Sequence, residues 1–328
     1  MRSQVSSHDG RGARQLLYLA RAVAGWMPLI RADRPDVIHA VDLPMLVAAI
    51  AIAPFAGRPR IVYDAFEIYS IMERHKYPHW LLRAVAVIER FLPRFADVVI
   101  TVGEGRQAWF RERGIDTVVV ANWIDPPPDP PTREAARRQY EIPDDRFTIL
   151  YAGGLDPSRD LESLIRHAAR RPDDLVLIAG RGSEEDRLRA EAADLPNVRL
   201  LGFLADPVPV TVAADALYYA LHDDHPYAAL AAPNNLYVAI SHAVPLVHRG
   251  QGEIGVLASR SDIGAAFHDD ASLDAAFDRL RDPAEQAAIR SELRRLQPRY
   301  RWSSARDVLL GVYRRMGRTA TRPRTAGP

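Results

Sequence analysis

Short, nearly continuous apolar runs rich in β-branched residues recur along the chain, separated by longer stretches in which apolar positions return at helical spacing. That alternation is the pattern of strands buried on both faces of a parallel sheet, so the expected fold class is α/β. After an amphipathic helix over 12–31, carrying Leu16, Leu17, Leu19, Ala20, Val23 and Trp26, strands are expected at 36–41, 60–65, 97–102 and 117–121. Helices are expected between them at 46–56, 80–95 and 103–114. The run Pro126-Pro127-Pro128-Asp129-Pro130-Pro131 suits neither a helix interior nor a central strand, so it reads as a stiff connector. Alternation then restarts, with strands at 147–152, 174–179, 198–201, 216–220, 244–247 and, more weakly, 264–267. Helices are expected at 159–170, from Ser183 to 193 with Asp186 completing a capping box, at 234–240, and in the tail at 300–313.

This pattern divides the chain into a first Rossmann-like domain at 1–125, a linker at 126–132 and a second Rossmann-like domain at 133–298. A terminal helix at 299–316 and a disordered tail at 317–328 complete it. Of the 328 residues, 43 are basic and 42 acidic, a balance that argues against a nucleic-acid partner held by bulk charge. With no cysteine, disulfides, thiol nucleophiles and cysteine metal sites are excluded. No secretory signal or spanning segment is read from the sequence, and a cytoplasmic chain is expected.

Candidate chemistry sits mostly where strands end. Gly153-Gly154, after a strand, would let the backbone approach a diphosphate with Arg159 as charge partner, or would simply make a tight turn. Gly180-Arg181-Gly182 closes the next strand. In Ala232-Pro233-Asn234-Asn235-Leu236-Tyr237-Val238, Pro233 and Asn234 are good helix-start residues, and the amides of such a helix start suit a phosphate or a ribose. His222-Asp223-Asp224-His225 is read as a polar cleft loop rather than a metal site. Asp64 and Glu67, at the carboxyl end of a strand in the first domain, are the candidate catalytic carboxylates, with helix capping or ion pairing as the alternative for Glu67. His39 could be functional or equally a satisfied histidine at a strand end. The segment 74–83, mixing Arg74, His75, Lys76, Tyr77, His79 and Trp80, suits either an acidic membrane surface or the domain interior.

Several of these stretches resemble, in order and spacing, those of the retaining glycosyltransferase family 4 (glycosyltransferase group 1) of the GT-B type. Asp36-Val37-Ile38-His39-Ala40 resembles the family's Asp-Val-Ile-His-x strand, and Tyr63-Asp64-Ala65-Phe66-Glu67 its Tyr-Asp-x-His-Glu. Pro233-Asn234-Asn235-Leu236-Tyr237 with Ala243-Val244-Pro245-Leu246-Val247 resembles Pro-Asn-Lys-Leu-Tyr followed by Gly-x-Pro-Val-Val. The resemblance implies two Rossmann-type domains facing across a cleft, the terminal helix crossing back to the first, and a first domain trimmed at its start. It implies transfer of a sugar from a UDP-, GDP- or dTDP-sugar co-substrate to a small-molecule acceptor, with no bound metal or permanent cofactor. In that scheme Gly153, Gly154, Arg159, Gly180, Arg181, Pro233, Asn234, Asn235, Leu236 and Tyr237 hold the donor.

Several family positions are replaced: Phe66 stands for a histidine, Asn235 for a lysine, and Leu230 and Val238 for two glutamates. These replacements leave two readings, an enzyme with an atypical site or an inactive scaffold that activates a partner enzyme. A homodimer and a peripheral membrane contact are the further partner expectations.

Overall fold

The computed structural model describes residues 21, 24–72 and 78–318. Contacts divide the chain into two units. Unit 1 is 1–102, 106–120 and 311–328, and unit 2 is 103–105 and 121–310.

In unit 1, helix α1 over 24–33 overlaps the expected 12–31 helix and runs two residues past it. Then follow β1 (Val37–Val41), α2 (Asp42–Ile52), β2 (Arg60–Ala65), α3 (Tyr69–Met72), α4 (His79–Phe91), β3 (Val98–Thr101), α5 (Glu104–Arg111) and β4 (Thr117–Val119). Residues 104 and 105, at the start of α5, are counted with unit 2. The four strands pair in parallel in the order β1-β2-β3-β4. Right-handed crossovers in so monotonic an order carry every connecting helix to one face of the sheet. Strand alternation supplies that face: Ala40, Ile61, Tyr63, Ala65 and Val99 pack with Leu43, Leu46 and Ala49 of α2 and Phe110 of α5. The opposite parity places His39 toward the C-terminal part of the chain, where its Nδ1 lies 2.5 Å from the Tyr313 hydroxyl.

Unit 2 continues with α6 (Arg133–Gln139), β5 (Thr148–Ala152), α7 (Leu161–Arg170), β6 (Leu175–Ala179), α8 (Glu185–Glu191) and β7 (Val198–Gly202). It is completed by α9 (Val208–Ala213), β8 (Ala216–Tyr219), α10 (Asn234–His242), β9 (Leu246–His248), α11 (Gly252–Ala258), β10 (Gly264–Ala266), α12 (Asp270–Arg281) and α13 (Pro283–Leu296). Helix α14 (Trp302–Arg318) closes the described chain, its residues from Gly311 onward counted with unit 1. All six strands run parallel in the order β10-β9-β8-β5-β6-β7. This is the doubly wound Rossmann order, whose switch point lies between β5 and β8.

Three local expectations are corrected. The helix expected from Ser183 begins at Glu185 with Glu184 as N-cap and no side-chain cap bond. A capping box forms instead at Asp269 and Ser272, opening α12. The tail expected to be disordered from 317 includes the last two residues of α14, Gly317 and Arg318, and 319–328 lie outside the described residues. Helices α6, α9, α11, α12 and α13 were not anticipated. Asp282 ends α12 and caps α13, accepting from the Ala284 and Glu285 amides with Pro283 at the first position, so two helices share one residue.

A buried histidine makes unit 2 sensitive to acid. His248, only 3 % exposed at the end of β9, accepts the Gly250 amide on Nδ1 at 2.9 Å. Burial pushes its pKa from 6.5 to about 4. The folded value lies below the unfolded one, so its contribution to stability is complete above pH 6.5 and drains as the pH falls toward 4. Between pH 7 and 5 unit 2 is expected to lose about 2 kcal/mol through this group. Urea unfolding at both pH values reads the loss, and His248→Asn, which keeps an acceptor but no titrating ring, should remove it.

Candidate active site

The carboxyl ends of β5 and β8, where doubly wound sheets bind their ligands, border a pocket of about 570 Å³ wholly within unit 2. Gly153 and Gly154 leave β5 along one side. Arg159 and Tyr219 form another wall, and Pro233, Asn234, Asn235 and Val238 of α10 a third. Gly180, Arg181, Phe203, Leu204, Pro207 and Thr211 close the far end.

Each wall has a local cause. Pro233 is the N-cap of α10 and brings no side-chain cap, so the first amides of the helix face outward with the positive end of its dipole. The Asn235 amide donates to Ala152 O at 2.9 Å, fixing that helix start against the end of β5. Arg159 donates from Nη1 to the Tyr219 hydroxyl and from Nε to Asp156 at 3.3 Å, with its guanidinium 5.2 Å above the Tyr219 ring. Among the described residues its Nη2 has no protein partner. Burial pushes the Tyr219 and Tyr151 hydroxyls up, so both stay neutral hydrogen-bonding groups. Tyr151 donates to Gly154 O at 2.6 Å, bracing the glycine turn from beneath.

Gly180 has a packing reason beside any functional one. Its φ is +148°, and a Cβ there would collide with Gly153 O, so the loops after β5 and β6 meet only because this residue has no side chain. Arg181, next to it, lies with its guanidinium 5.7 Å from the Phe203 ring, and Phe203 is 64 % exposed. A flat, open aromatic beside a cation is a surface on which a planar base would stack.

Other candidates lie elsewhere. Leu236 and Tyr237, expected at the donor, are buried; Tyr237 stacks on Tyr300 at 6.5 Å, so both serve the core of unit 2. The loop His222-Asp223-Asp224-His225 does not line the pocket. Asp223 accepts from Arg249 at 2.9 Å and Gln251 at 3.1 Å, and the His222 amide donates to Ser158 O. Asp160, Glu162 and His222 each bring one possible ligand atom within 4.8 Å of the others. Asp160 already caps α7 and accepts two bonds from Arg249, and Glu162 Oε1 pairs with Arg187 at 2.6 Å, while Glu162 Oε2 is buried without a hydrogen-bond partner, 3.6 Å from His222 Nε2.

In unit 1 the expected catalytic pair is accompanied by a third carboxylate. Glu67 lies 3.5 Å from Arg106, which is 4 % exposed and also donates to Phe66 O. Asp64 lies 3.3 Å from His39 Nε2, while its Oδ1 is buried without a hydrogen-bond partner. Asp42, missed from the sequence, adopts φ +64° at the end of β1 and accepts the Glu67 amide at 3.2 Å. Burial, with the Asp64 charge as a lesser cause, raises its pKa. An aspartate just past a strand end, where Asp and Asn best tolerate left-handed backbone, was the available signal. These carboxylates can accept hydrogen bonds from hydroxyl or amine groups.

Solved structures share this fold. Residues 2–123 match the Glycosyl transferase 4-like domain. The glycogen synthase of Mycobacterium tuberculosis is 28 % identical over 304 residues, covering 86 % of this chain and 69 % of that protein. Anabaena HepE, solved in complex with UDP and glucose, superposes with a TM-score of 0.71 at 19 % identity over 90 % of this chain and 80 % of its own. The sucrose-phosphate synthase of Thermosynechococcus elongatus gives 0.69 at 17 % identity over 87 % and 74 %. Two parallel-sheet units and a pocket at the switch point of the second go with a GT-B-like fold, and the match of residues 2–123 to the Glycosyl transferase 4-like domain makes the chain similar to the group 1 glycosyltransferases.

Proposed function

We propose that this chain transfers a sugar, or a sugar-like group, from a nucleotide sugar to a small-molecule acceptor, retaining the anomeric configuration. The observation that carries the reading is the convergence of Gly153, Gly154, Arg159 and the uncapped start of α10 on one pocket at the switch point of unit 2. As the glycosidic bond to the diphosphate breaks, negative charge grows on the leaving oxygens, and fixed amides with a guanidinium already in place stabilise it without reorganising. Arg181 and Phe203 would hold the base. Departure and attack on the same sugar face give retention, and the carboxylates of Asp42, Asp64 and Glu67 would orient the acceptor on unit 1. A UDP-sugar is the first donor to try, because HepE, of similar fold, binds UDP and UDP-glucose. The scaffold alternative draws on the replaced family positions, and the convergent pocket favours the enzyme over it.

Calorimetric titration with a panel of UDP, GDP, dTDP and their sugars tests the reading. Micromolar binding of one nucleotide class is expected. Silence across the panel, from chain shown to be folded, would overturn it.

An acceptor carried at an acidic membrane surface is favoured by α4. Trp80, Val87, Ile88 and Phe91 are exposed along one side of it, with Phe95 just beyond. Arg83, Arg90 and Arg94 are exposed among them. Glu89, the only acid of the helix, is buried and accepts the Tyr69 and Ser70 amides. Residues 74–77 of the segment first suspected lie outside the described residues. An apolar and cationic face without exposed acid suits anionic headgroups. Cosedimentation with vesicles containing phosphatidylglycerol is expected, with loss of binding in Phe91→Glu. Equal recovery in the supernatant with and without vesicles would sink this part.

A further inference from the structure

Unit 2 holds a second hollow, of about 410 Å³, at the edge of its sheet, and it shares no lining residue with the pocket at the switch point. β10 is the edge strand, and its register sets Ala266 beside His248 of β9. Paired residues of neighbouring strands share a face, so only a methyl group stands next to the imidazole on that side. Ala258, the last residue of α11, adds another small wall. The volume left open is of the size that small-molecule ligands occupy.

The polar groups around this hollow are unequally committed. Arg279 is spent on Asp262 at 2.6 Å, Glu285 at 2.9 Å and Gly264 O at 2.9 Å. Asp262, paired with that arginine, also accepts the Gly264 amide at 3.4 Å, and the Ser261 hydroxyl bonds to Glu292. His248 differs. It is 3 % exposed and lines the hollow, and its Nδ1 accepts the Gly250 amide at 2.9 Å. The ring, kept neutral by burial, therefore carries its proton on Nε2. Among the described residues that Nε2–H has no hydrogen-bond acceptor, although a buried N–H ordinarily finds one. Arg260, more exposed, gives Nη1 to Glu104 at 2.8 Å, and among the described residues its Nε and Nη2 have no protein partner.

A buried N–H and a guanidinium with two uncommitted nitrogens both call for an acceptor, and the guanidinium favours one that carries negative charge. We propose that this hollow is a second binding site of unit 2, which takes the phosphate or carboxylate group of a small molecule on His248 Nε2 and Arg260. It stands apart from the donor reading and does not rest on it.

The test is titration of the full chain at about pH 7 with inorganic phosphate, with acetate and, at equal ionic strength, with potassium chloride, followed by NMR of the histidine rings. His248→Asn keeps an acceptor for the Gly250 amide and removes the ring, so the resonance missing from its spectrum is that of His248. Saturable displacement of this resonance by phosphate, acetate or both is expected, half-complete at or below roughly 5 mM, and the anion that moves it identifies the group. Arg260→Ala should raise the half-saturating concentration about fivefold or more. Ala266→Leu, which fills the space beside the ring, should abolish the response. Arg159→Ala, which weakens the other pocket, should leave it unchanged. A His248 resonance that moves no further with phosphate or acetate than with chloride would overturn the inference, water then being the partner of Nε2. A response that survives both Arg260→Ala and Ala266→Leu intact would overturn it too, because the anion would then act from elsewhere. Loss of the response in Arg159→Ala would assign the anion to the switch-point pocket and likewise end the proposal.

Discussion

Replacing Arg159 by alanine is expected to weaken nucleoside diphosphate binding by roughly 10- to 150-fold, the worth of charge-assisted hydrogen bonds to a phosphate. Arg159 is held from two sides, by Asp156 through Nε and by the Tyr219 hydroxyl through Nη1, so its fork is already oriented before a ligand arrives. The side chain is about three-quarters covered, which limits solvent screening of the pair it would form. Arg159→Lys keeps the charge and loses the fork, so it should fall between wild type and alanine. Because the arginine also braces Tyr219, melting curves must accompany the titrations. An alanine variant that melts as wild type and binds within twofold of it would show that the diphosphate is held by α10 and the glycine turn alone.

The sheet strands were the most legible part of the chain, and the reason is visible in burial. The run 175–179 is buried at every position, so its side chains had to read as an unbroken apolar word, whatever surrounds it. Short amphipathic helices were harder. Helix α9 carries Pro209 and four β-branched residues in six positions, and its local preferences point away from a helix that packing against neighbouring elements nevertheless enforces.

Glycines and arginine at the pocket were legible because turns after parallel strands have few uses. The roles within α10 were not. Leu236, Tyr237 and Val238 are consecutive and all apolar or amphipathic, yet the helix turns the first two into the core and Val238 to the pocket. That assignment depends on rotation about the helix axis, which a sequence of nine residues with a modest apolar contrast does not fix. Asp42 was hidden for a different reason: its significance lies in a positive φ and in the neighbouring Glu67 amide and Asp64 carboxylate, 25 and 22 residues away, which only the paired strands bring together.

The largest stability effect is expected at Arg137, a residue with no donor role. It is 3 % exposed in α6 and donates to Ala213 O at 3.2 Å, Pro143 O at 2.5 Å and Arg146 O at 2.6 Å, with Asp215 at 3.3 Å. Asp215 in turn accepts the Thr148 amide at 2.9 Å and Arg133 at 2.6 Å. One guanidinium thus ties the first helix of unit 2 to the segment leading into β5 and to the end of α9 just before β8. Arg137→Ala removes the donors and leaves three carbonyls and a largely buried carboxylate short of partners, so a loss of about 3–5 kcal/mol is expected in urea unfolding. Arg137→Lys should recover less than half of it, because a single ammonium cannot reach acceptors spread around a planar fork. The carboxylate and the carbonyls make separable contributions. Asp215→Asn removes the charge while keeping an acceptor, and it should cost less than Arg137→Ala if the backbone carbonyls carry most of the debt. Were Arg137→Lys as stable as wild type, the binding together of these segments would rest on charge alone, and the fork geometry would be irrelevant to the fold of unit 2.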